Sequence, residues 1–206
     1  MSQGNNSGGQ CHVDAIMGAR VLIIGGSAGV GKGVASAALA SGAKVFVSSS
    51  NPSRISATVA EFQSMYPGPG AHVLKTAVAE LGGPLEHIAY AAGDAFDFEP
   101  LSAVTAANAY ASWTVRYLGP LLVGKLVTVN PALDLAPIRV NSVSPGAIRT
   151  PMLQKLPDEA IAGFVQNQLV REVGTVQQTA EAYLFSMRCS FATGQQFVID
   201  GGNTYK

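Results

Sequence analysis

A glycine-rich turn, Gly25-Gly26-Ser27-Ala28-Gly29-Val30-Gly31, follows directly on the apolar run Arg20-Val21-Leu22-Ile23-Ile24 and leads into the helix-forming stretch Val34-Ala35-Ser36-Ala37-Ala38-Leu39-Ala40. A buried strand that passes into a helix through small residues gathers backbone N–H groups and a helix N-terminus at one spot, which suits a pyrophosphate. A tight strand-to-helix connection with no ligand is the competing reading. The next segment argues against it: Ser41-Gly42 stops the helix and a second apolar run, Ala43-Lys44-Val45-Phe46-Val47, follows. Strand, glycine turn, helix, glycine stop and strand make up the mononucleotide-binding half of a doubly wound sheet.

Gly26-Ser27-Ala28-Gly29-Val30-Gly31-Lys32 also matches the phosphate loop of nucleoside triphosphatases as far as its lysine. That loop needs a Ser or Thr hydroxyl next, for magnesium, and this chain has Gly33. No strand ends in a convincing metal-binding aspartate, and no metal site is indicated.

The chain has 206 residues, no repeat and no charge block, so a single domain over residues 20–206 is expected, after a polar lead-in over residues 1–19. Charged residues make up 13%, about half the usual share, and the formal net charge is zero. That balance leaves no electrostatic footprint for nucleic acid or an anionic membrane and favours a small-molecule substrate. Cys11 and Cys189 form no metal-ligand spacing and read as free thiols. The opening ten residues lack an apolar signal core, and no apolar run is long enough to span a membrane, so a cytoplasmic location is expected.

Further along, helical spacing over 55–65 ends at Tyr66-Pro67-Gly68-Pro69-Gly70, and residues 73–81 read as helix. Leu85-Glu86-His87-Ile88-Ala89-Tyr90 reads as a strand, residues 101 to about 127 as one long apolar helix, and Ile138-Arg139-Val140-Asn141-Ser142-Val143 as another strand. Helices over 158–169 and 177–187 precede a last strand, Gln196-Phe197-Val198-Ile199. The class is α/β, a Rossmann-like and mainly parallel sheet with helices on both faces.

Four segments resemble the short-chain dehydrogenases/reductases, in particular the fungal type found among tailoring enzymes of secondary metabolism. Gly25, Gly29 and Gly31 match the family's glycine fingerprint, with Ile24 where Thr is usual. Tyr90-Ala91-Ala92-Gly93 resembles its fourth-strand Asn-Asn-Ala-Gly motif, both asparagines replaced. Residues 135–146 look like its sixth-strand segment, Thr150 falling at a nicotinamide contact, and Ile199-Asp200-Gly201-Gly202 resembles its closing signature. The resemblance implies an oxidoreductase acting on a small-molecule carbonyl, imine or alcohol, and a homodimer or homotetramer.

By that resemblance the nicotinamide dinucleotide is held by Gly25, Ser27, Gly29, Val30, Gly31, Ala92, Gly93, Pro145, Gly146, Ile148 and Thr150. Cofactor choice has its own physical reading: an NAD-selective fold places a carboxylate at the end of the second strand, against the ribose 2′-OH. Ser48-Ser49-Ser50-Asn51-Pro52-Ser53-Arg54 contains none. Ser49, Ser50, Asn51 and Arg54 instead offer hydroxyl, amide and guanidinium donors to a 2′-phosphate, so NADP is favoured over NAD. A polar turn with a solvated Arg54 is the competing reading.

The family's chemistry uses a Tyr with a Lys four residues later, and none of Tyr66, Tyr90, Tyr110, Tyr117, Tyr183 and Tyr205 has that Lys. The pattern is that of a deletion. Leu122-Val123-Gly124-Lys125-Leu126 resembles the end of the family's fourth helix and residues 127–135 already resemble the end of the fifth, so a strand and most of a helix are missing between them. A second loss, of the third strand, is expected between Val73 and Leu74. Right-handed crossover then predicts a sheet of order 2-1-4-6-7 in the family's strand labels.

No catalytic residue is assigned. Arg116 and Tyr90 are possible substitutes near the nicotinamide, but packing is the plainer reading of both. Lys125 reads as a helix-end cation, His87 as a satisfied core imidazole, and Asp94 and Asp97 as loop residues. Three functions stay open: an NADP(H)-dependent oxidoreductase, a nucleotide-binding protein that is silent or runs a non-redox cyclisation or isomerisation, and a truncated product.

Overall fold

The computed structural model describes residues 15–67, 71–73, 83–93, 101–120, 133 and 135–205. The expected helix over 73–81 and the segments holding Cys11, Asp94, Asp97 and Lys125 lie outside them, apart from Val73.

β1 (Arg20–Ile24) is the centre of a parallel sheet, pairing on one side with β2 (Lys44–Ser48) and on the other with β4 (His87–Tyr90). β3 (Ala71–Val73) extends the sheet beyond β2, giving the order β3-β2-β1-β4. The expected loss of the third strand is therefore corrected: three residues suffice to pair with Val45, Phe46 and Val47. Val21 and Ile23 of β1 and Val45 and Val47 of β2 are buried, as in a parallel sheet covered by helices. α1 (Gly29–Ala40) and α2 (Pro52–Met65) supply that cover. Pro52 opens α2 with φ already suited to a helix, and the Asn51 side chain caps it by accepting the Arg54 N–H at 2.9 Å. Ile16 is fully buried in the same core, so packing begins ahead of residue 20.

At the amino end of the sheet, Arg20 ties β1 to the start of β4. Its backbone N–H donates to Glu86 Oε2 at 2.7 Å, and its guanidinium donates to Glu86 Oε1 and the Pro84 carbonyl. The Arg20 backbone N–H chiefly holds the Glu86 carboxyl below its ordinary pKa.

β5 (Ser142–Pro145) and β6 (Gln196–Ile199) pair in parallel as a second, separate sheet. The predicted order 2-1-4-6-7 put the strand of 87–90 beside that of 142–145, and among the described residues these two do not pair. Their placement comes instead from α5 (Val176–Arg188), which packs on α1. Val34, Ala35 and Ala38 of α1 and Ala180 and Leu184 of α5 share one buried cluster. A Cβ on Gly33 would lie 3.0 Å from Val176 Cβ, so this helix contact is close, and at the other end of the two helices Arg188 donates to the Ser41 hydroxyl at 2.7 Å. An apolar helix seam holds the two sheets together where strand pairing does not. Gly33→Leu is expected to force this seam apart at a cost of about 1–3 kcal/mol, read as a lower melting temperature.

Two further expectations shift. The long helix over 101–127 is broken at its start: a 3-10 turn (Leu101–Ala103) precedes α3 (Ala106–Trp113), which continues into a π-helical turn (Thr114–Leu118). The strand predicted over 138–143 is β5, beginning only at Ser142, because Arg139 and Asn141 are turned toward α5. The Arg139 guanidinium donates to the carbonyls of Ser186, Met187 and Ala192, and the Asn141 amide to the Ser186 hydroxyl and the Ala192 carbonyl. Between Thr150 and α5 lie a 3-10 turn (Leu153–Lys155) and α4 (Asp158–Gln166), and a last 3-10 turn (Asn203–Tyr205) follows β6.

Candidate dinucleotide site

The glycine-rich turn lies at the carboxyl end of β1, where backbone approach is too close for side chains. Gly25 has φ +85°, and a Cβ there would lie 2.5 Å from the Ala92 backbone. A Cβ on Gly31 would run into the Gly25 carbonyl oxygen. Gly25 and Gly26 donate to the Ser48 carbonyl at 2.8 and 3.2 Å, fixing the turn against the end of β2. Gly29, at φ +53°, faces Thr150, whose Cγ2 would be 3.4 Å from a Cβ on that glycine. Gly25, Gly29, Gly31, Ala92 and Thr150 thus come together from three separate parts of the chain.

The helix that begins here is open to an anion. Ala28 at the N-cap of α1 contributes no side-chain bond and the first turn holds no acidic residue, so the first N–H groups, at Gly29, Val30 and Gly31, have no side-chain cap. Lys32 turns away: its ammonium pairs with Glu61 of α2 at 2.6 Å. A triphosphatase lysine would have to reach the phosphates, and this one is held on the helix flank. Nothing in the sequence marked Glu61 as its partner, since the two are 29 residues apart.

At the end of β2, the buried Ser27 donates its hydroxyl to that of Ser49 at 2.7 Å. Ser49 Oγ accepts the Asn51 N–H at 3.3 Å, and Thr58 donates to the Ser27 carbonyl at 3.3 Å. Ser50 and Arg54 are exposed beside this network. The Asn51 side-chain oxygen is engaged as the α2 cap, which leaves its amide nitrogen for any ligand.

On the other side, Gly146 donates to the Ile199 carbonyl at 2.9 Å, and a Cβ on it would lie 2.7 Å from Asp200 Cα, so the ends of β5 and β6 are pressed together after Pro145. Ile148 is buried and bridges to Gly174, while the Thr150 hydroxyl accepts the Leu153 N–H at 3.3 Å. Asp200 acts as a local clamp, accepting from the N–H of Gly202 and Thr204 and the Thr204 hydroxyl. Those bonds, the Thr204 hydroxyl's first, hold its carboxyl below the usual range.

Of the two possible substitutes for the family's acid, Tyr90 is a packing residue: its hydroxyl donates to the Val115 carbonyl at 2.6 Å and sits against Gly119, where a side chain would collide. Arg116, on the π-helical turn, stands beside Gly93, its guanidinium 3.6 Å from where a Cβ on that glycine would be. His87, at the start of β4, is half-buried and lies outside the buried core cluster. Burial first, and then the Arg139 charge, push its pKa down. A lowered imidazole pKa means that the native state binds fewer protons than the unfolded one, so stability falls as pH drops below the ordinary value of 6.5. His87→Val is expected to flatten the melting-temperature profile below pH 6.5, against a sloping profile for the parent.

Residues 12–131 match the family described as SDR-like Rossmann domain, and residues 125–204 match the family described as enoyl-(acyl carrier protein) reductase. The chain belongs to the short-chain dehydrogenase/reductase family. Among its relatives in that family, the short-chain dehydrogenase/reductase ATR9 of Stachybotrys chlorohalonatus is 30% identical, over 91% of this chain and 97% of ATR9. Solved short-chain dehydrogenases/reductases share the fold. The MalC reductase/Diels-Alderase of Malbranchea aurantiaca has a TM-score of 0.81 at 23% identity, covering 95% of this chain and 100% of MalC. A Burkholderia cenocepacia short-chain dehydrogenase in complex with NADP scores 0.79 at 21% identity (92% and 99% covered). A 3-oxoacyl-[acyl-carrier protein] reductase from Brucella melitensis with bound NAD scores 0.76 at 20% (92% of each). The resemblance read from the sequence, to a short-chain dehydrogenase/reductase of fungal type with a Rossmann-like fold, is borne out.

Proposed function

We propose that this protein binds NADP(H) in the cradle of Gly25, Gly29, Gly31, Ala92 and Thr150 and acts as an oxidoreductase on a small-molecule carbonyl, imine or alcohol of secondary metabolism. One observation carries the reading: an uncapped helix N-terminus opens onto a turn where Cβ atoms would fill the space, which fits a pyrophosphate. The bound dinucleotide supplies the hydride. Val30, Gly93, Pro145, Gly146 and Ile148 complete the proposed cofactor contacts. Ser27, Ser49, Ser50, Asn51 and Arg54 offer donors and no carboxylate, which supports the 2′-phosphate and therefore NADP. The unit responsible is the single domain of residues 20–206, acting in the cytoplasm as a homodimer or homotetramer. No described helix is long and apolar enough to cross a membrane.

A second reading, cofactor binding with a non-redox cyclisation or isomerisation or with no turnover, is favoured by the lack of Tyr-x-x-x-Lys and by the fixed hydroxyl of Tyr90. Fluorescence titration with NADPH and NADH, followed by turnover assays on ketones and imines, separates the two. The first reading expects NADPH to bind and be consumed; binding without consumption favours the second, and no binding overturns both. Ser49→Asp is expected to weaken NADPH at least tenfold while sparing NADH, because a carboxylate there repels the 2′-phosphate; an unchanged preference would remove these residues from cofactor selection.

A further inference from the structure

Among the described residues, four polar side chains are buried, those of Ser27, Thr58, Gln168 and Thr179. The three hydroxyls have plain tasks: Ser27 and Thr58 belong to the network at the end of β2, and Thr179 bonds back to the Thr175 carbonyl at the start of α5. Gln168 is different. Only 3% of it is exposed, and it lies just after α4 in a segment, residues 167–174, that has no helix of its own and no strand beyond the single bridge at Gly174. A primary amide this far from water needs partners, or its burial costs stability.

The partners are backbone carbonyls. In the orientation that its neighbours dictate, the Gln168 amide nitrogen donates to the carbonyls of Glu172 at 2.7 Å and Val170 at 3.2 Å. Its backbone N–H donates to the Val165 carbonyl at 3.2 Å, and a Cβ on Gly201 would lie 3.1 Å from the side-chain amide. Gln168 thus joins the end of α4, the turn after β6 and the segment that folds around it. Packing alone does not hold that segment. A cavity of about 230 Å³ lies against it, lined in part by Ile148, Val170, Gly174 and Ile199, and Leu169 and Val170 are 60% and 55% exposed.

The far end of the segment reaches the cofactor site. Gly174 donates to the Ala147 carbonyl at 3.0 Å and accepts the Arg149 N–H at 2.8 Å. It therefore brackets Ile148, whose Cδ1 lies 2.8 Å from where a Cβ on Gly174 would be. Thr150, next after Arg149, is the residue that faces Gly29 in the glycine-rich turn. We propose that Gln168 is a positioning residue for the nicotinamide end of the dinucleotide site: its buried amide sets residues 168–174, and Gly174 in turn sets the loop from Ala147 to Thr150 against the start of α1. The inference rests on the proposed cofactor site.

The test compares NADPH with 2′-phospho-ADP-ribose, which keeps the 2′-phosphate and the pyrophosphate but lacks the nicotinamide. Gln168→Met, of similar length but with no donor, is expected to weaken NADPH about tenfold and to leave 2′-phospho-ADP-ribose within about twofold of the parent, both read by calorimetric titration. A residue that served only the fold would shift both ligands alike or neither, and either result would overturn the proposal. The parent chain gives a reading that does not depend on how the variant folds. Its Arg149 and Gly174 amides are expected to exchange with solvent about tenfold more slowly under saturating NADPH than under saturating 2′-phospho-ADP-ribose, and equal rates would overturn the proposal. A parent that binds neither ligand overturns the cofactor reading itself, whereas a variant that binds both in the parent's ratio overturns only the role of Gln168.

Discussion

Gly31→Ala is expected to eliminate NADPH binding while leaving a folded protein. The added Cβ runs into the Gly25 carbonyl oxygen, so the first turn of α1 must move away from the loop that it closes. Overpacking of this kind costs about 1–3 kcal/mol of stability, but the larger effect is on the ligand. The N–H groups of the helix start would no longer converge on one anion, and a misplaced cradle forfeits several charge-assisted bonds together. A thermal melt with and without NADPH checks this: a variant that melts cooperatively with no NADPH-dependent rise is the expected result. A variant that keeps its NADPH response would mean that the phosphates lie elsewhere.

Arg139→Ala is expected to cause the largest loss of stability of the single changes considered, about 2–4 kcal/mol. Its guanidinium gathers the carbonyls of Ser186, Met187 and Ala192 at and just beyond the end of α5, and it anchors the chain just ahead of β5. Without it, α5 loses the cation that complements its C-terminal carbonyls, and the β5–β6 unit loses a tie to the helix that fixes its position. Arg139→Lys is expected to recover only part of the loss, because an ammonium lacks the planar fork that reaches three carbonyls at once. Chemical denaturation of the parent and both variants checks the order; equal stability of all three would contradict it.

Local patterns made the dinucleotide half readable. The turn after β1, the glycine stop at Gly42 and the second strand all lie within about thirty residues, and their spacing reflects backbone geometry that only small residues allow. The same locality explains why Pro52 and Asn51 mark the start of α2. Long-range features were less legible. No periodicity announces that Lys32 meets Glu61, or that Arg139 reaches back over α5 in place of extending a strand. The strand order failed for a related reason: the crossover rule assumes that neighbouring strands in sequence close onto each other, and here β5 is held through the α1–α5 seam and pairs with β6, not with β4, among the described residues. The short β3 was missed because three residues carry too little pattern to be recognised without their partner strand. Tyr90 could be judged only once its hydroxyl was seen bonded to Val115.

The central claim is that the dinucleotide half is a formed, NADP-selective site, and the melting temperature of the purified chain with saturating NADPH, saturating NADH and neither tests it most directly. At a hundredfold excess over Kd, a ligand that binds only the folded state adds about 2.7 kcal/mol, or roughly 5–10 °C for a chain of this size. A rise of that order with NADPH and a smaller one with NADH is the expected result. No shift with either nucleotide, on a chain that melts cooperatively, would contradict the account.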